Sequence, residues 1–303
     1  MSVVAEVVRS GFVESVHHGV VALTGRPGVG ETGRPFFPRS SNKPLQTVGM
    51  LRAGLVPREA ADLALISGSH DGEPLHADRV RAMLAAAGLG VGALGCPAQL
   101  PMGEASRQAW LRAGGGPEPV LMNCSGKHAG MLATCVANGW PLESYLDPGH
   151  PLQVALADAV SELAGEPIAA TGVDGCGAPV LAVSPDALAR AFLRLVEAEP
   201  GTPERRVADA MRAYPELVAG TGAEDTRLMR EVPGLLVKSG ADGVVAAAMP
   251  GAGGIAVKIA DGSARARMPV LAEALRRFGV VAPDLAEPVL GGGRPVGVVR
   301  AVW

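Results

Sequence analysis

The segment R-S-S-N-K-P places a serine and a lysine at a spacing that could form a nucleophile and its base. Ser40 and Lys43 are separated by three positions. If a helix begins here, Ser41 is a reasonable N-cap, Pro44 is tolerated in the first turn, and Ser40 and Lys43 share one face. A neutral lysine can take the proton of a serine hydroxyl. The alternative is a capping serine followed by a surface lysine.

A second lysine ends an apolar run that starts at Leu235 and reads L-L-V-K-S-G. In serine β-lactamases and penicillin-binding proteins, an S-x-x-K motif is partnered by K-[ST]-G on a strand late in the chain. The order and separation of Ser40 and Lys238 are of this type. The alternative for Lys238 is an edge-strand charge that prevents aggregation.

Lysine is rare in this chain, since only four of the 27 basic residues are lysines: Lys43, Lys127, Lys238 and Lys258. Arginine stays charged, whereas lysine can lose its proton and act as a base or a ligand. Chance can explain any single lysine. It explains less well that three of them fall inside motifs of small polar residues.

Two further motifs are rich in small polar residues. S-G-S-H-D-G-E is a dense turn whose small residues would let a ligand approach the backbone, and it supplies Ser69, His70 and Glu73 as candidates. An ordinary polar loop is the alternative. N-C-S-G-K-H opens a predicted helix and contains Asn123 and Cys124. A thiol at a helix N-terminus has a lowered pKa and suits a nucleophile or a metal ligand.

The four cysteines divide into two groups. Cys124 and Cys176 lie among Gly, Ser, Asn and Asp, which favours a functional role for both. Cys96 and Cys135 are better explained as small buried hydrophobic residues. Four cysteines in 303 residues do not predict a disulfide framework.

The elements that must position these residues follow a simple order, with strands at both ends of the chain and helices between them. The predicted strands are 3–9, 12–23, 234–238, 244–249, 254–260 and a last one near 296–302. The predicted helices are 46–54, 58–66, 76–87, 104–113, 126–137, 151–164, 185–197, 203–213 and 268–278.

This order predicts an α/β (α+β) fold, in which an antiparallel sheet made from both termini packs against a helical region. We expect a single domain, 1–303, with a terminal-strand part at about 1–45 and 232–303 and a helical part at about 46–231. The chain has no G-x-G-x-x-G after a strand and no P-loop, so nucleotide-binding folds fit poorly.

The composition limits the binding partners and the cellular compartment that we expect for this protein. Hydrophobic residues make up 48% and charged residues 19%, which predicts a substantial core. A net charge of −3 leaves no basic face for nucleic acid and no polybasic membrane patch. Glu6, Arg9 and Glu14 interrupt any apolar run near the N-terminus, so we expect no secretory signal and a cytoplasmic setting.

Together these segments resemble the asparaginases of the Rhizobium etli type, an L-asparaginase family distinct from the bacterial threonine-nucleophile and plant-type enzymes. The string N-C-S-G-K-H-A-G-M-L is long and specific, whereas the others are weak singly and strong as a set. The resembling segments run in order from about residue 12 to 280 and include R-S-S-N-K-P, S-G-S-H-D-G-E, D-G-C-G-A-P, P-E-L-V-A-G, V-K-S-G-A-D-G and V-K-I-A-D-G.

The resemblance implies a fold related to serine β-lactamases and glutaminases, and two serine–lysine tandems. These tandems map to Ser40 with Lys43 and to Ser69 with Lys238. We expect Ser40 to attack the amide while Lys43 takes its proton, and the second tandem to orient or activate the first. The alternative is that Ser69 is itself the nucleophile.

The resemblance also implies a cluster of Cys124, Lys127 and Cys176, which in the family can hold zinc, and a homodimer. Arg39 and Asp174 are carried over as neighbours of the site. His70, Glu73 and Asn123 are the remaining substrate-binding candidates. The chain is shorter than better-known members and has Ser67 where a cysteine can occur, which puts its metal content in question.

Three functions follow as hypotheses. The first is hydrolysis of L-asparagine, a small-molecule amide, with no nucleic acid and no membrane as partner. The second keeps the fold and changes the substrate to glutamine or a β-lactam, although the S-D-N motif expected of a β-lactamase is absent. The third is a non-enzymatic zinc-binding or ligand-binding protein. It would need the cysteine–lysine cluster but not the serines.

Overall fold

The two ends of the chain build one antiparallel sheet of seven strands in the computed structural model, which describes residues 1–303. Its strands are β1 Ser2–Arg9, β2 Phe12–Leu23, β5 Leu236–Gly240, β6 Val244–Met249, β7 Gly253–Ile259, β8 Glu287–Gly291 and β9 Arg294–Ala301. They lie in the order β5-β6-β7-β2-β1-β9-β8. β3 Ala170–Val173 and β4 Pro179–Ala182 form a separate pair. The predicted sheet from both termini is confirmed.

Eleven helices occupy most of the remaining chain. They are α1 Lys43–Arg52, α2 Ala60–Ile66, α3 Pro74–Ala86, α4 Glu104–Arg112, α5 Ser125–Asn138, α6 Pro151–Ala164, α7 Pro185–Glu197, α8 Pro203–Ala213, α9 Pro215–Val218, α10 Glu224–Glu231 and α11 Arg267–Arg277. Three predicted helices, 151–164, 185–197 and 203–213, match the observed bounds. None of the helices combines the length and apolar character needed to cross a lipid bilayer.

Clear start signals explain why α7 and α8 were predictable. The Ser184 hydroxyl accepts a hydrogen bond from the Ala187 N–H, and the Thr202 hydroxyl accepts one from the Arg205 N–H. A proline follows each of these N-caps at the first helical position, where its missing N–H costs nothing. α7 then packs on β2, β6 and β7 and covers one face of the sheet.

Helix α1 lies in the middle of the helical region, between α6, α8 and α5. Its residues from Lys43 to Leu51 are all buried, so the helix has no polar face and its position is fixed by packing on every side. Gly49 permits the closest approach, because a Cβ there would lie 2.9 Å from the Leu156 Cδ2 atom of α6. This packing holds the first residue of α1, Lys43, in place.

The sequence prediction missed five elements: α9, α10, β3, β4 and β8. It also shifted others, since α1 begins at Lys43 and was expected at 46–54. α10 was missed because its buried residues, Asp225, Thr226, Leu228 and Met229, include only two large apolar side chains. The strand expected at 234–238 begins two residues later, because Gly234 adopts a left-handed turn conformation with φ of 89°. Lys238 therefore lies in the middle of β5 and not at its end.

Candidate active site

A strained turn carries Ser40. Residues Arg39–Asn42 form a short 3₁₀ helix that runs directly into α1. Arg39 has a φ of 53°, a left-handed conformation that costs a non-glycine residue about 1–3 kcal/mol. Ion pairs hold it there, since its guanidinium donates to Asp174 at 2.8 Å and also to Asp242. Burial alone would raise the pKa of Asp174, but the Gly175 N–H and Arg39 outweigh it and lower that pKa.

The same turn is fastened to strand β5. The Ser41 hydroxyl donates to the Lys238 carbonyl oxygen at 2.8 Å, so Ser41 does not cap the helix as its position in the sequence suggested. Asn42 occupies the N-cap position instead, without a side-chain hydrogen bond. A Cβ at Gly240 would lie 2.7 Å from the Pro38 carbonyl oxygen, so glycine is what allows the turn and the strand to touch.

Lys43 reaches Ser69 and not Ser40. Its Nζ donates to the Ser69 Oγ at 2.9 Å and to the Gly68 carbonyl oxygen at 2.5 Å, and its side chain is buried. The spacing of three positions led us to expect a direct Ser40–Lys43 hydrogen bond. The change from a 3₁₀ turn to an α-helix between these two residues alters their angular separation, and the hydrogen bonds join Lys43 to the neighbouring motif.

Lys238 is buried, and its ammonium form is destabilised. Its Nζ donates to the Ser239 carbonyl oxygen at 2.6 Å. Burial is the main cause that lowers its pKa to about 7, the cations Lys43 and Arg267 add to the shift, and Asp225 opposes it. Asp225 lies directly behind this segment, because its carboxylate accepts the Ser239 N–H at 2.7 Å and the Ser239 hydroxyl at 2.5 Å. A large fraction of Lys238 is therefore neutral near neutral pH.

One cavity of about 490 Å³ gathers most of these groups. Its wall includes Ser40, Ser69, Asp71, Asn123, Lys238 and Arg267. Hydroxyls, an amine, carboxylates and a guanidinium thus line a space large enough for a small metabolite. A larger cavity of about 870 Å³ adjoins it across Asp71 and Gly222.

The two thiols lie close together and are not part of the lining of this cavity. The Lys127 Nζ donates to the Cys176 Sγ at 3.3 Å, and the Cys124 Sγ lies 3.0 Å from the Asn123 Oδ1. A hydrogen bond from Cys176, with Lys43 and Lys127 nearby, lowers the pKa of Cys124 well below its usual range. The pKa of Cys176 is raised, because its proton is shared with Cys124 and because the thiol is buried. The two thiols therefore form a coupled pair beside two lysines, and the first of their two protons is lost more readily than the second.

A family model confirms the resemblance seen in the motifs. The model for L-asparaginase II matches residues 5–301. The chain belongs to the L-asparaginase II family. No curated protein sequence matches it.

The cysteine–lysine cluster of this L-asparaginase II family member is poorly suited to bind zinc. Cys124, Lys127 and Cys176 do come together, as the resemblance implied. Burial lowers the pKa of Lys127, but Cys176 and Cys124 outweigh it and raise the pKa, so the amine stays a cation that donates to sulfur. Two thiols remain, and no group of three or more His, Cys, Asp or Glu side chains is placed to hold a metal ion. The zinc prediction is not supported, and we derive no step through a metal.

The other predicted binding residues lie at different distances from the cavity of this family member. Asn123 lines it. His70 is fully buried outside it, with its Nε2 2.9 Å from the Ser125 Oγ and its ring stacked on His76. Glu73 lies in the adjoining cavity, where its carboxylate accepts the Thr221 N–H and hydroxyl, each at 2.7 Å. The structure therefore gives His70 and Glu73 supporting contacts, because their polar atoms are already paired.

Sequence reasoning missed three charged residues of this site in the L-asparaginase II chain. Asp71 lies inside the S-G-S-H-D-G-E motif and could have been singled out there. Asp225 belongs to the unpredicted helix α10 and carries no motif of its own. Arg267 begins α11, where it donates to the Gly240 carbonyl oxygen and to Glu224. Nothing in the local sequence of Asp225 or Arg267 distinguishes them from surface charges.

Solved structures similar to this family member share low sequence identity with it. The protein named Mglu, in its native form, is 18% identical, with a TM-score of 0.47 over 88% of this chain and 65% of that chain. The chain thus spans slightly less than two thirds of the length of Mglu. EstCE1, described as a hydrolase with promiscuous acyltransferase activity, is 14% identical, with a TM-score of 0.42 over 90% and 92% of the two chains. A simvastatin synthase mutant from Aspergillus terreus is 14% identical, with a TM-score of 0.40 over 86% and 90%.

Proposed function

We propose that this chain hydrolyses the side-chain amide of L-asparagine and releases L-aspartate and ammonia. The observation that carries the proposal is that Ser40, Ser69 and Lys238 line one cavity, in a member of the L-asparaginase II family. Lys43 joins them through its hydrogen bond to Ser69. Two hydroxyls and two buried amines are the groups that acyl transfer through a serine requires.

We assign Ser40 as the nucleophile, because it lies on the strained turn at the start of α1 and lines the cavity. Its Oγ attacks the amide carbon, and its proton passes to the neutral amine of Lys238. The C–N bond then breaks and the acyl group remains as an ester on Ser40.

We assign Ser69 and Lys43 to the departing nitrogen. The Lys43 ammonium donates to the Ser69 Oγ at 2.9 Å, which leaves the Ser69 hydroxyl proton free to pass to the leaving group. Ammonia departs with that proton, and Lys43 passes a proton to the Ser69 oxygen and becomes neutral. In deacylation the neutral Lys43 takes a proton from water through Ser69, and Lys238 returns its proton to Ser40. This differs from the role predicted from spacing, in which Lys43 is the direct base for Ser40.

The Lys43–Ser69 contact also favours a second assignment, in which Ser69 is the nucleophile. Peptide mass spectrometry after a rapid acid quench during turnover distinguishes the two assignments. Acyl mass on the Ser40 peptide supports the roles given above, and acyl mass on the Ser69 peptide reverses them. The homodimer and the cytoplasmic setting stay predictions from the sequence.

The test of the function is ammonia release from L-asparagine and L-glutamine, with hydrolysis of a chromogenic β-lactam measured in parallel. We expect asparagine to be the best substrate and Ser40→Ala to lower kcat by more than about 1,000-fold, because the nucleophile is lost. Ser106→Ala, a serine of the adjoining cavity, is the matched control and should keep its activity. Preference for glutamine or the β-lactam would replace the substrate, and binding without any turnover would favour a non-enzymatic protein.

A further inference from the structure

Asp71 has a fixed backbone and a carboxylate without a partner. Its N–H donates to the Ala219 carbonyl oxygen at 2.6 Å, and its own carbonyl oxygen accepts the Gly103 N–H at 2.9 Å. No donor of the chain is hydrogen-bonded to the carboxylate, which is half-buried on the cavity wall. The carboxylate therefore keeps acceptor capacity that a ligand in the cavity can use.

Two glycines form a slot around this carboxylate. A Cβ at Gly220 would lie 2.3 Å from the Asp71 Oδ2, and a Cβ at Gly103 would lie 2.9 Å from the Asp71 Cβ. Any larger residue at Gly220 would displace the side chain. The slot therefore fixes the direction in which the carboxylate points, as a binding group needs and a mobile surface charge does not.

The other carboxylates of the cavity are already occupied. Asp225 accepts two hydrogen bonds from Ser239, and Glu224 is paired with Arg267 at 3.0 Å. Burial, with Glu73 and Asp225 nearby, raises the pKa of Asp71. The cavity thus holds one carboxylate with unused acceptor capacity, in surroundings that a bound cation would stabilise. On the same wall, Arg267 supplies positive charge for an anionic group.

We propose that Asp71 binds the α-ammonium group of the amino-acid substrate and so restricts the site to amides that carry a free α-amino group. The inference rests on the proposed function and names the residue that recognises the amino group of its substrate. An amino-acid amide presents an ammonium and a carboxylate beside its reacting amide. Asp71 matches the ammonium, and Arg267 on the same cavity wall matches the carboxylate.

The experiment compares an amide with its counterpart lacking the amino group. The parent, Asp71→Asn and Asp78→Asn are assayed with L-asparagine and with succinamic acid; Asp78 is an exposed aspartate of the adjoining cavity and serves as the matched control. For asparagine, we expect Asp71→Asn to lower kcat/KM by roughly 10- to 100-fold, mainly through KM, as for one charge-assisted hydrogen bond. For succinamic acid, Asp71→Asn and the parent should be alike, and Asp78→Asn should behave as the parent with both substrates.

An equal loss on both substrates, or a loss confined to kcat, would overturn the inference, because Asp71 would then act on the amide and not on the amine. A second measurement on the parent needs no turnover and no variant: calorimetric titration with L-aspartate and with succinate. Tighter binding of L-aspartate is expected, and equal binding or none overturns the assignment of Asp71. Failure of the parent to release ammonia from any amide counts against the proposed function instead, so the two failures are distinguishable.

Discussion

Lys127 and Lys238 are both buried, yet their surroundings move their pKa values in opposite directions. Burial lowers the pKa of Lys127, but the thiols of Cys176 and Cys124 outweigh it, and the net pKa is raised. At Lys238 burial again lowers the pKa, and here Lys43 and Arg267 add to it while Asp225 opposes it only in part. The result at Lys238 is a pKa of about 7.

The comparison shows that burial does not decide what a lysine can do. Relative exposure is 2% for Lys127 and 1% for Lys238, so the desolvated state is common to both. The partners differ, because two thiols surround one lysine and two cations lie near the other. Lys127 is thus a cation that favours ionisation of the neighbouring thiol pair, and Lys238 is an amine able to accept a proton.

The largest effect on activity is expected for Lys238→Arg. Arginine keeps the charge but cannot become neutral, so the proposed base is lost and kcat should fall by roughly 100-fold or more. Steady-state ammonia release from asparagine measures the effect. Lys258→Arg is the matched control on β7 and should keep nearly full activity. Comparable activity of the two variants would remove Lys238 from the proton-transfer role.

The pH dependence of kcat/KM tests which neighbouring groups set the pKa of Lys238. Lys238 is protonated below its pKa, so kcat/KM should be low in acid and rise to a plateau through about pH 7. Asp225 raises the pKa of Lys238, and Asp225→Asn should therefore move the rising limb to lower pH. Ser239→Ala keeps the Asp225 charge and should leave the limb in place. A limb that moves equally in both variants would show that the Ser239 hydrogen bond, and not the charge, sets the pH profile.

The smallest expected effect concerns the thiolate beside Lys127. Ultraviolet thiolate absorbance near neutral pH should disappear in Cys124→Ser and decrease in Lys127→Met, because the cation that favours the ionised form is gone. Burial raises the pKa of Cys135 to about 11, so Cys135→Ser should leave the absorbance unchanged. An equal decrease in the two cysteine variants would contradict the assignment of the thiolate to Cys124.

The sequence predicted helices and strands well where it contained residues typical of a helix N-cap or a hairpin turn. Ser184 and Thr202, each followed by proline, define the starts of α7 and α8. The turn at Ser10 and Gly11 joins β1 to β2 with positive φ at both residues, as a type I′ hairpin turn requires. α10 escaped prediction, because half of its buried residues are polar and are paired only in the folded chain.

The site was predictable as a set of motifs but not as a set of contacts. The motifs brought Ser40, Ser69 and Lys238 to attention, and the structure places all three on one cavity. That Lys43 contacts Ser69 depends on how a 3₁₀ turn meets α1, which spacing alone does not specify. Asp71 is distinguished only by the hydrogen bonds it lacks, a property that exists only once the chain is folded.

The pairing of the first strands with the last ones makes assembly of this protein a late, long-range event. β1 pairs with β9 through partners such as Glu6 and Arg300, and Ser41 meets Lys238 across most of the chain. Loops of this length close slowly, and contacts of high sequence separation form after local helices. A chain emerging from the ribosome can fold α6 or α7 early, but its seven-stranded sheet stays incomplete until the final strand is released. The site proposed for catalysis should therefore be complete only after β9 has been synthesised.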